Sequence, residues 1–97
     1  MLEPGIGLDM TRARILVVDD EPAIRSFLEM FLKHRGDAFA ISQSGPDALE
    51  LLERQSFDVL VSDLYMPGMN GLELIRKAKK RKPDLITIML TGRATKT

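Results

Sequence analysis

The sequence contains no cysteine, and it has no long apolar run. Without cysteine the chain forms neither disulfides nor thiolate metal sites, and such a composition is compatible with a reducing compartment. No stretch approaches the roughly 20 apolar residues that span a bilayer, and the opening segment MLEPGIGLDMTRA lacks the apolar core of a secretory signal peptide. These absences predict a cytoplasmic protein without a membrane segment.

The remaining composition is that of one small globular domain. The 97 residues are 44% hydrophobic and 29% charged, and their formal net charge is zero. The segment RKAKKRK, residues 76–82, is cationic except for its alanine, which is a pattern found in nucleic-acid contacts. Cations also gather at the C-terminus of a helix, and Pro83 follows directly. We therefore interpret this segment as a helix end and predict no direct nucleic-acid binding by the domain.

Strand and helix patterns alternate after a leader, residues 1–13, that we expect to be flexible. Short apolar or β-branched runs predict strands, and apolar residues at helical spacing with capping residues predict helices. The predicted strands are 14–19, 38–42, 57–63 and 85–91, and the predicted helices run from Pro22 to Gly36, from Ser44 or Pro46 to Arg54, and from Asn70 to Pro83. Three connections between successive strands, each through a helix, predict a parallel α/β sheet with right-handed crossovers.

The sequence makes more detailed predictions for the first and third helices. The first helix has an apolar stripe of Ile24, Phe27, Leu28, Phe31 and Leu32, and its only histidine, His34, reads as a solvated residue of the last turn. In the third helix, Asn70 is the predicted N-cap with Glu73 at the third position. Its residues Leu72, Ile75 and Ala78 are predicted to face the core.

Three carboxylates and one hydroxyl stand at the ends of three of the predicted strands. Asp19 and Asp20 end the first strand, Asp63 ends the third, and Thr91 ends the fourth. Ligand sites in parallel α/β sheets lie at this edge, and clustered carboxylates repel one another unless a cation is shared. A set of oxygen ligands favours Mg²⁺. Alternatively, the segment DDE at 19–21 only caps the first helix, but this alternative leaves Asp63 and Thr91 unexplained.

The segments LVVDDE, VSDLYMPGMNG and MLTG, in this order and spacing, resemble the receiver domain of bacterial two-component response regulators. The resemblance covers about Arg14 to Thr97. It implies a flavodoxin-like fold with strand order 2-1-3-4-5, of which this chain would hold only β1-α1-β2-α2-β3-α3-β4 of a (βα)5 domain. The receiver would thus occupy residues 14–97 and be incomplete at its C-terminus.

The resemblance also implies roles for the acidic residues. Asp63 would be the phosphoacceptor, which takes a phosphoryl group from the phosphohistidine of a sensor histidine kinase or a phosphotransfer protein. Asp20 and Asp63 would bind Mg²⁺ directly, the main-chain carbonyl of Tyr65 would be a third ligand, and Asp19 would act mostly through water. The domain would be a signalling switch rather than a conventional enzyme.

Further roles concern the loop and the switch. Thr91 would bind a phosphoryl oxygen, and Gly92 would leave the phosphorylated carboxylate accessible. Pro67 and Gly71 would shape the loop that brings the Tyr65 carbonyl to the ion, although an ordinary turn explains them equally well. The ending LTGRAT is similar to that of receivers attached to transcriptional activators.

The chain departs from the family pattern after its fourth strand. A whole receiver continues through a fourth helix, a fifth strand and a fifth helix, and the phosphoryl-binding Lys of that fifth strand has no counterpart here, since Lys96 is in a different position. The open edge of strand four predicts either a fragment of a longer regulator or a homodimer or swapped assembly that covers the edge.

The sequence is also compatible with other functions. One is a truncated or phosphorylation-deficient receiver that acts only as a protein-interaction module. Another is a Mg²⁺-dependent phosphatase with an aspartyl nucleophile, but that class usually has a second acid two residues further on, where Tyr65 stands. A dinucleotide-binding enzyme is disfavoured because no G-x-G-x-x-G follows the first strand.

Overall fold

A computed structural model describes residues 13–90, in which strands and helices alternate. Nearly all of the predicted leader, residues 1–13, therefore lies outside the described part of the chain. The elements are β1 (Arg14–Val18), α1 (Pro22–Arg35), β2 (Ala38–Ser42), α2 (Gly45–Arg54), β3 (Val59–Asp63), α3 (Gly71–Arg81) and β4 (Ile86–Leu90). All strand pairs are parallel and the order is β2-β1-β3-β4. This is the predicted flavodoxin-like arrangement.

One face of the sheet packs against α2 and α3 and forms the core. Parallel pairing places Leu16 of β1 beside Leu60 of β3, and both side chains are fully buried. Because side chains alternate between the two faces of a strand, Val18 lies on the same face as Leu16. The buried core cluster comprises Leu16, Val18, Ala48, Leu49, Leu52, Leu60, Met66, Leu74, Ala78 and Leu85.

The orientation of α3 differs from the prediction at one position. Leu72 was predicted to face the core but is 42% exposed, whereas Leu74 is fully buried. The inward stripe follows the spacing Gly71, Leu74, Ala78, so the small Gly71 occupies the position one turn before Leu74. Helical spacing from Leu72 also reaches Ile75, which is why the sequence alone favoured the wrong phase.

The other face of the sheet is covered less completely by the described residues. α1 contacts β1 and β2. Of the apolar stripe on α1 only Leu32 is buried, and Phe27 is 62% exposed. Ile86 and Ile88 of β4, which the register places on this side, are also exposed. Within residues 13–90, β4 is an edge of the sheet, as the sequence predicted.

The predicted helix ends are found in the structure. Asn70 accepts a hydrogen bond on its side chain from the Glu73 N–H at 2.9 Å, which is the predicted N-cap. The cationic segment forms the last turns of α3, where it meets the negative end of the helix dipole. Gly36 ends α1 in the left-handed conformation at φ 86°, and His34 is an exposed residue of the last turn.

Candidate functional site

The carboxyl ends of β1 and β3 place three carboxylates together. Asp19 follows the last residue of β1 directly, and Asp63 is the last residue of β3, so the parallel pairing of these strands brings both to one edge. Each of Asp19, Asp20 and Asp63 offers an oxygen, and these oxygens lie within 4.8 Å of one another. Asp19 and Asp63 are 3% and 5% exposed, and Asp20 is half-buried. The clustering predicted from the strand ends is therefore present.

Three hydrogen bonds hold Asp19 in place. Its N–H donates to the Ser42 carbonyl of β2 at 3.2 Å, and its Oδ1 accepts from the Glu21 N–H at 2.9 Å. Its main-chain carbonyl accepts from Arg25 Nη1, also at 2.9 Å. The Asp19 side chain therefore has a fixed direction at the edge of the sheet.

Burial and neighbouring charges oppose the ionisation of Asp19. Desolvation is the largest cause of the raised pKa of this carboxyl, and the negative charges of Asp63, Asp20 and Glu21 raise it further. The hydrogen bond from the Glu21 N–H acts in the opposite direction, since it stabilises the carboxylate. The site thus holds negative charge at a cost in free energy that a bound cation would relieve.

The loop that follows Asp63 is fixed by main-chain bonds. The Tyr65 N–H donates to Asp63 Oδ1 at 3.4 Å, and the Leu64 N–H donates to the Leu90 carbonyl at the end of β4 at 3.0 Å. Gly68 adopts the left-handed conformation at φ 77°, which favours glycine directly after the exposed Pro67. The loop returns to the site through the bond from the Gly71 N–H to the Leu64 carbonyl at 2.9 Å.

Gly71 has a steric reason to be glycine. A Cβ atom at this position would meet the Asp63 carbonyl oxygen and would lie 2.9 Å from the Leu64 Cα atom. These atoms belong to the backbone and have little room to move. The start of α3 therefore packs directly against the residue that ends β3.

The residues at this edge fit a hard divalent cation. All three side chains are carboxylates, and such oxygen ligands are preferred by Mg²⁺. Two of the three are buried, so their negative charges have little water to stabilise them. The roles assigned to the individual ligands, including the Tyr65 main-chain carbonyl, stay predictions.

Three predicted residues lie outside the described part of the chain. Thr91, Gly92 and Lys96 belong to residues 91–97, which the structure does not describe. Their relation to the carboxylates therefore stays a prediction from the sequence.

Arg25 was not among the site residues predicted from the sequence. No motif marks this residue, but side chains of a helix lean toward its N-terminus, and Arg25 lies in the first turn of α1. A long cationic side chain at this position can reach back to the end of β1. That geometric rule was the available signal.

Comparisons with known proteins agree on one family. The family model of the response regulator receiver domain matches residues 15–97. The chain is 41% identical over 83 residues to the DNA-binding transcriptional regulator NtrC of Escherichia coli, covering 86% of this chain and 18% of NtrC. It is 39% identical over 79 residues to the transcriptional regulatory protein AfsQ1 of Streptomyces coelicolor, covering 81% of this chain and 35% of AfsQ1. The chain thus spans well under half the length of these curated relatives.

Solved structures show the same fold. A CheY-like receiver domain protein from Methanospirillum hungatei is similar with a TM-score of 0.80 and 34% identity, covering 84% of this chain and 65% of that one. The chemotaxis protein CheY4 of Vibrio cholerae has a TM-score of 0.78 and 29% identity, covering 80% and 67%. Within residues 13–90, none of the helices has the length and apolarity to cross a bilayer. The chain belongs to the receiver domain family of two-component response regulators.

Proposed function

We propose that this receiver domain accepts a phosphoryl group on Asp63 from the phosphohistidine of a sensor histidine kinase or a phosphotransfer protein. The observation that carries the proposal is the cluster of three carboxylates, Asp19, Asp20 and Asp63, whose oxygens lie within 4.8 Å of one another at the carboxyl edge of the sheet. Its position after β1 and β3 matches the segments that resemble the family. The domain is proposed to act as a switch and not as a conventional enzyme.

The chemistry suits a carboxylate nucleophile. An oxygen of Asp63 would form a bond to phosphorus while the bond from phosphorus to the partner's imidazole nitrogen breaks, and the imidazole would keep the electron pair. Phosphoryl transfer passes through a loose transition state, so positioning and neutralisation of charge provide most of the catalysis. The Tyr65 N–H, which donates to Asp63 Oδ1, supports one oxygen of this carboxylate in position.

Mg²⁺ is the proposed cofactor. Asp20 and Asp63 would hold it directly with the main-chain carbonyl of Tyr65, and Asp19 would act through water. When bound, the ion supplies positive charge that offsets the charge of the carboxylates and of the phosphoryl oxygens. The raised pKa of Asp19 supports this assignment. Burial and the neighbouring negative charges make ionisation of this carboxyl costly, and a cation would offset that cost.

Phosphorylation with a small donor tests the proposal. The whole chain is incubated with acetyl phosphate, with and without Mg²⁺, and the phosphorylated residue is identified by mass spectrometry. We expect Mg²⁺-dependent modification that is absent from Asp63→Asn. The matched control is Asp84→Asn, an exposed aspartate outside the carboxylate cluster, which should be modified like the parent chain.

Two outcomes would contradict the proposal. One is modification that persists in Asp63→Asn, which would mean that another residue accepts the phosphoryl group. The other is a chain that binds partner protein normally but neither binds Mg²⁺ nor becomes modified. The second outcome would favour a phosphorylation-deficient receiver that acts only as a protein-interaction module.

Protein contacts are a second part of the proposal. Phe27 and Phe31 of α1 and Ile86 and Ile88 of β4 expose apolar surface, and β4 is an edge strand among the described residues. An edge strand with apolar side chains favours pairing with another chain. We propose a homodimer or swapped assembly through β4, for which light scattering is the test. A monodisperse monomer would refute it.

The output of the switch is proposed from the relatives. NtrC and AfsQ1 are named as transcriptional regulators, which supports a role in transcription control for a protein carrying this domain. We propose that the domain itself does not contact nucleic acid, because its net charge is zero and its cations cluster at the end of α3. We propose a cytoplasmic location.

A further inference from the structure

Arg25 contacts the backbone of the carboxylate cluster, and the proposed function does not use this contact. It lies in the first turn of α1, its side chain is half-buried, and its Nη1 donates to the main-chain carbonyl of Asp19 at 2.9 Å. A hydrogen bond from a charged donor is stronger than one between neutral groups. The end of β1 is therefore tied to the helix that follows it.

The bonded carbonyl lies between two of the proposed magnesium ligands. It belongs to the peptide that joins Asp19 to Asp20, and a peptide is a rigid plane. Fixing the carbonyl of this plane limits the directions in which the Asp20 side chain can leave the backbone. Glu21 N–H and Ser42 carbonyl bonds hold Asp19 itself, but neither holds the plane that leads to Asp20.

Asp20 has two like charges close to it. A carboxylate oxygen of Asp19 and one of Asp63 lie within 4.8 Å of a carboxylate oxygen of Asp20. An ionised Asp20 is therefore repelled by both while no cation is bound. Asp20 is also less buried than the other two. A fixed peptide plane before it favours one direction of its side chain against this repulsion.

We propose that Arg25 is a positioning residue that holds the Asp19–Asp20 peptide so that Asp20 is directed toward the magnesium site. The inference rests on the proposed function, because it concerns the same site. In this proposal Arg25 acts through the backbone, by its bond to the Asp19 carbonyl. Residues that orient metal ligands from outside the site change metal affinity by about 10–100-fold when they are replaced.

The experiment is a Mg²⁺ titration of the whole chain, followed by the amide signals of the site in NMR spectra. It compares the parent chain with Arg25→Met, which keeps the length but loses the donor, and with Arg25→Lys, which keeps a charged donor. Arg76→Met, an exposed cation on α3, is the control for lost charge. Each chain is first shown to be folded without metal at the temperature of the titration.

We expect the dissociation constant of Arg25→Met to rise at least tenfold, that of Arg25→Lys to rise less, and that of Arg76→Met to stay within twofold of the parent. The amide signals of residues 19–21 should shift in Arg25→Met even without metal. A parent that binds and an Arg25→Met that binds within twofold of it would overturn the role of Arg25. An equal loss in Arg76→Met would reduce the effect to net charge and overturn it as well. A parent that does not bind Mg²⁺ would instead refute the proposed function.

Discussion

Replacing Gly71 by alanine should damage both the fold and the site. The added Cβ atom would meet the Asp63 carbonyl oxygen and lie 2.9 Å from the Leu64 Cα atom, and both contacts are with backbone. Overpacking of this kind costs about 1–3 kcal/mol. Alanine is favoured over glycine in a helix by at most about 1 kcal/mol, and Gly71 is only the first residue of α3. We expect a net loss of about 1–2 kcal/mol in the free energy of unfolding.

Urea unfolding without metal measures this loss, and a thermal scan should show a midpoint lower by about 4–8 °C for each kcal/mol. Gly36→Ala is the matched control. Gly36 has a φ of 86° and no atom within 4 Å of a Cβ atom, so alanine there costs about 1 kcal/mol through backbone conformation alone. Both variants lose stability, but only Gly71→Ala displaces Asp63, so only this variant should bind Mg²⁺ more weakly. A Gly71→Ala chain as stable as the parent, with equal Mg²⁺ affinity, would refute the steric reasoning.

Three further predictions concern charged side chains. Because the pKa of Asp19 is raised in the folded chain, its contribution to stability without metal is present at acid pH and is lost as the pH rises through this pKa. Asp19→Asn should therefore be more stable than the parent at neutral pH in metal-free urea titrations, yet bind Mg²⁺ about 10–100-fold more weakly. Arg35→Met should cost about 1–3 kcal/mol, because it removes the ion-pair partner, at 2.6 Å, of the fully buried Asp37 carboxylate. Arg81→Met breaks an exposed pair with Glu53 and should cost less than about 1 kcal/mol in the same assay; a cost equal to that of Arg35→Met would contradict the argument from burial.

The strand ends allowed the carboxylate cluster to be predicted without side-chain coordinates. Parallel strands with helical crossovers place their carboxyl ends at one edge, so Asp19, Asp20 and Asp63 had to meet once the strands were assigned. The caps of α2 and α3 were also predictable, since Ser and Asn are favoured N-caps, and Ser44 and Asn70 each accept a hydrogen bond from the N–H three residues later.

Other features depend on packing that a pattern does not specify. Gly71 approaches the backbone at the end of β3 closely, and Leu74, one turn later, is buried in place of the predicted Leu72. The spacing of apolar residues predicts a stripe on α1 but does not specify how much of it other elements cover, and Phe27 of that stripe is 62% exposed. The contact from Arg25 to the Asp19 carbonyl requires a side chain to reach the backbone, and it leaves no periodic signal.

The loop residue Tyr65 is an intrinsic spectroscopic probe of this site. The chain has one tyrosine and no tryptophan, so its near-ultraviolet absorption and emission come largely from that ring. The ring is exposed, and the backbone N–H of the same residue donates to Asp63 Oδ1. An ion or a phosphoryl group arriving two residues away would change the surroundings of the only strong chromophore in the molecule. The parent chain can thus be titrated without a dye, a tag or a substitution.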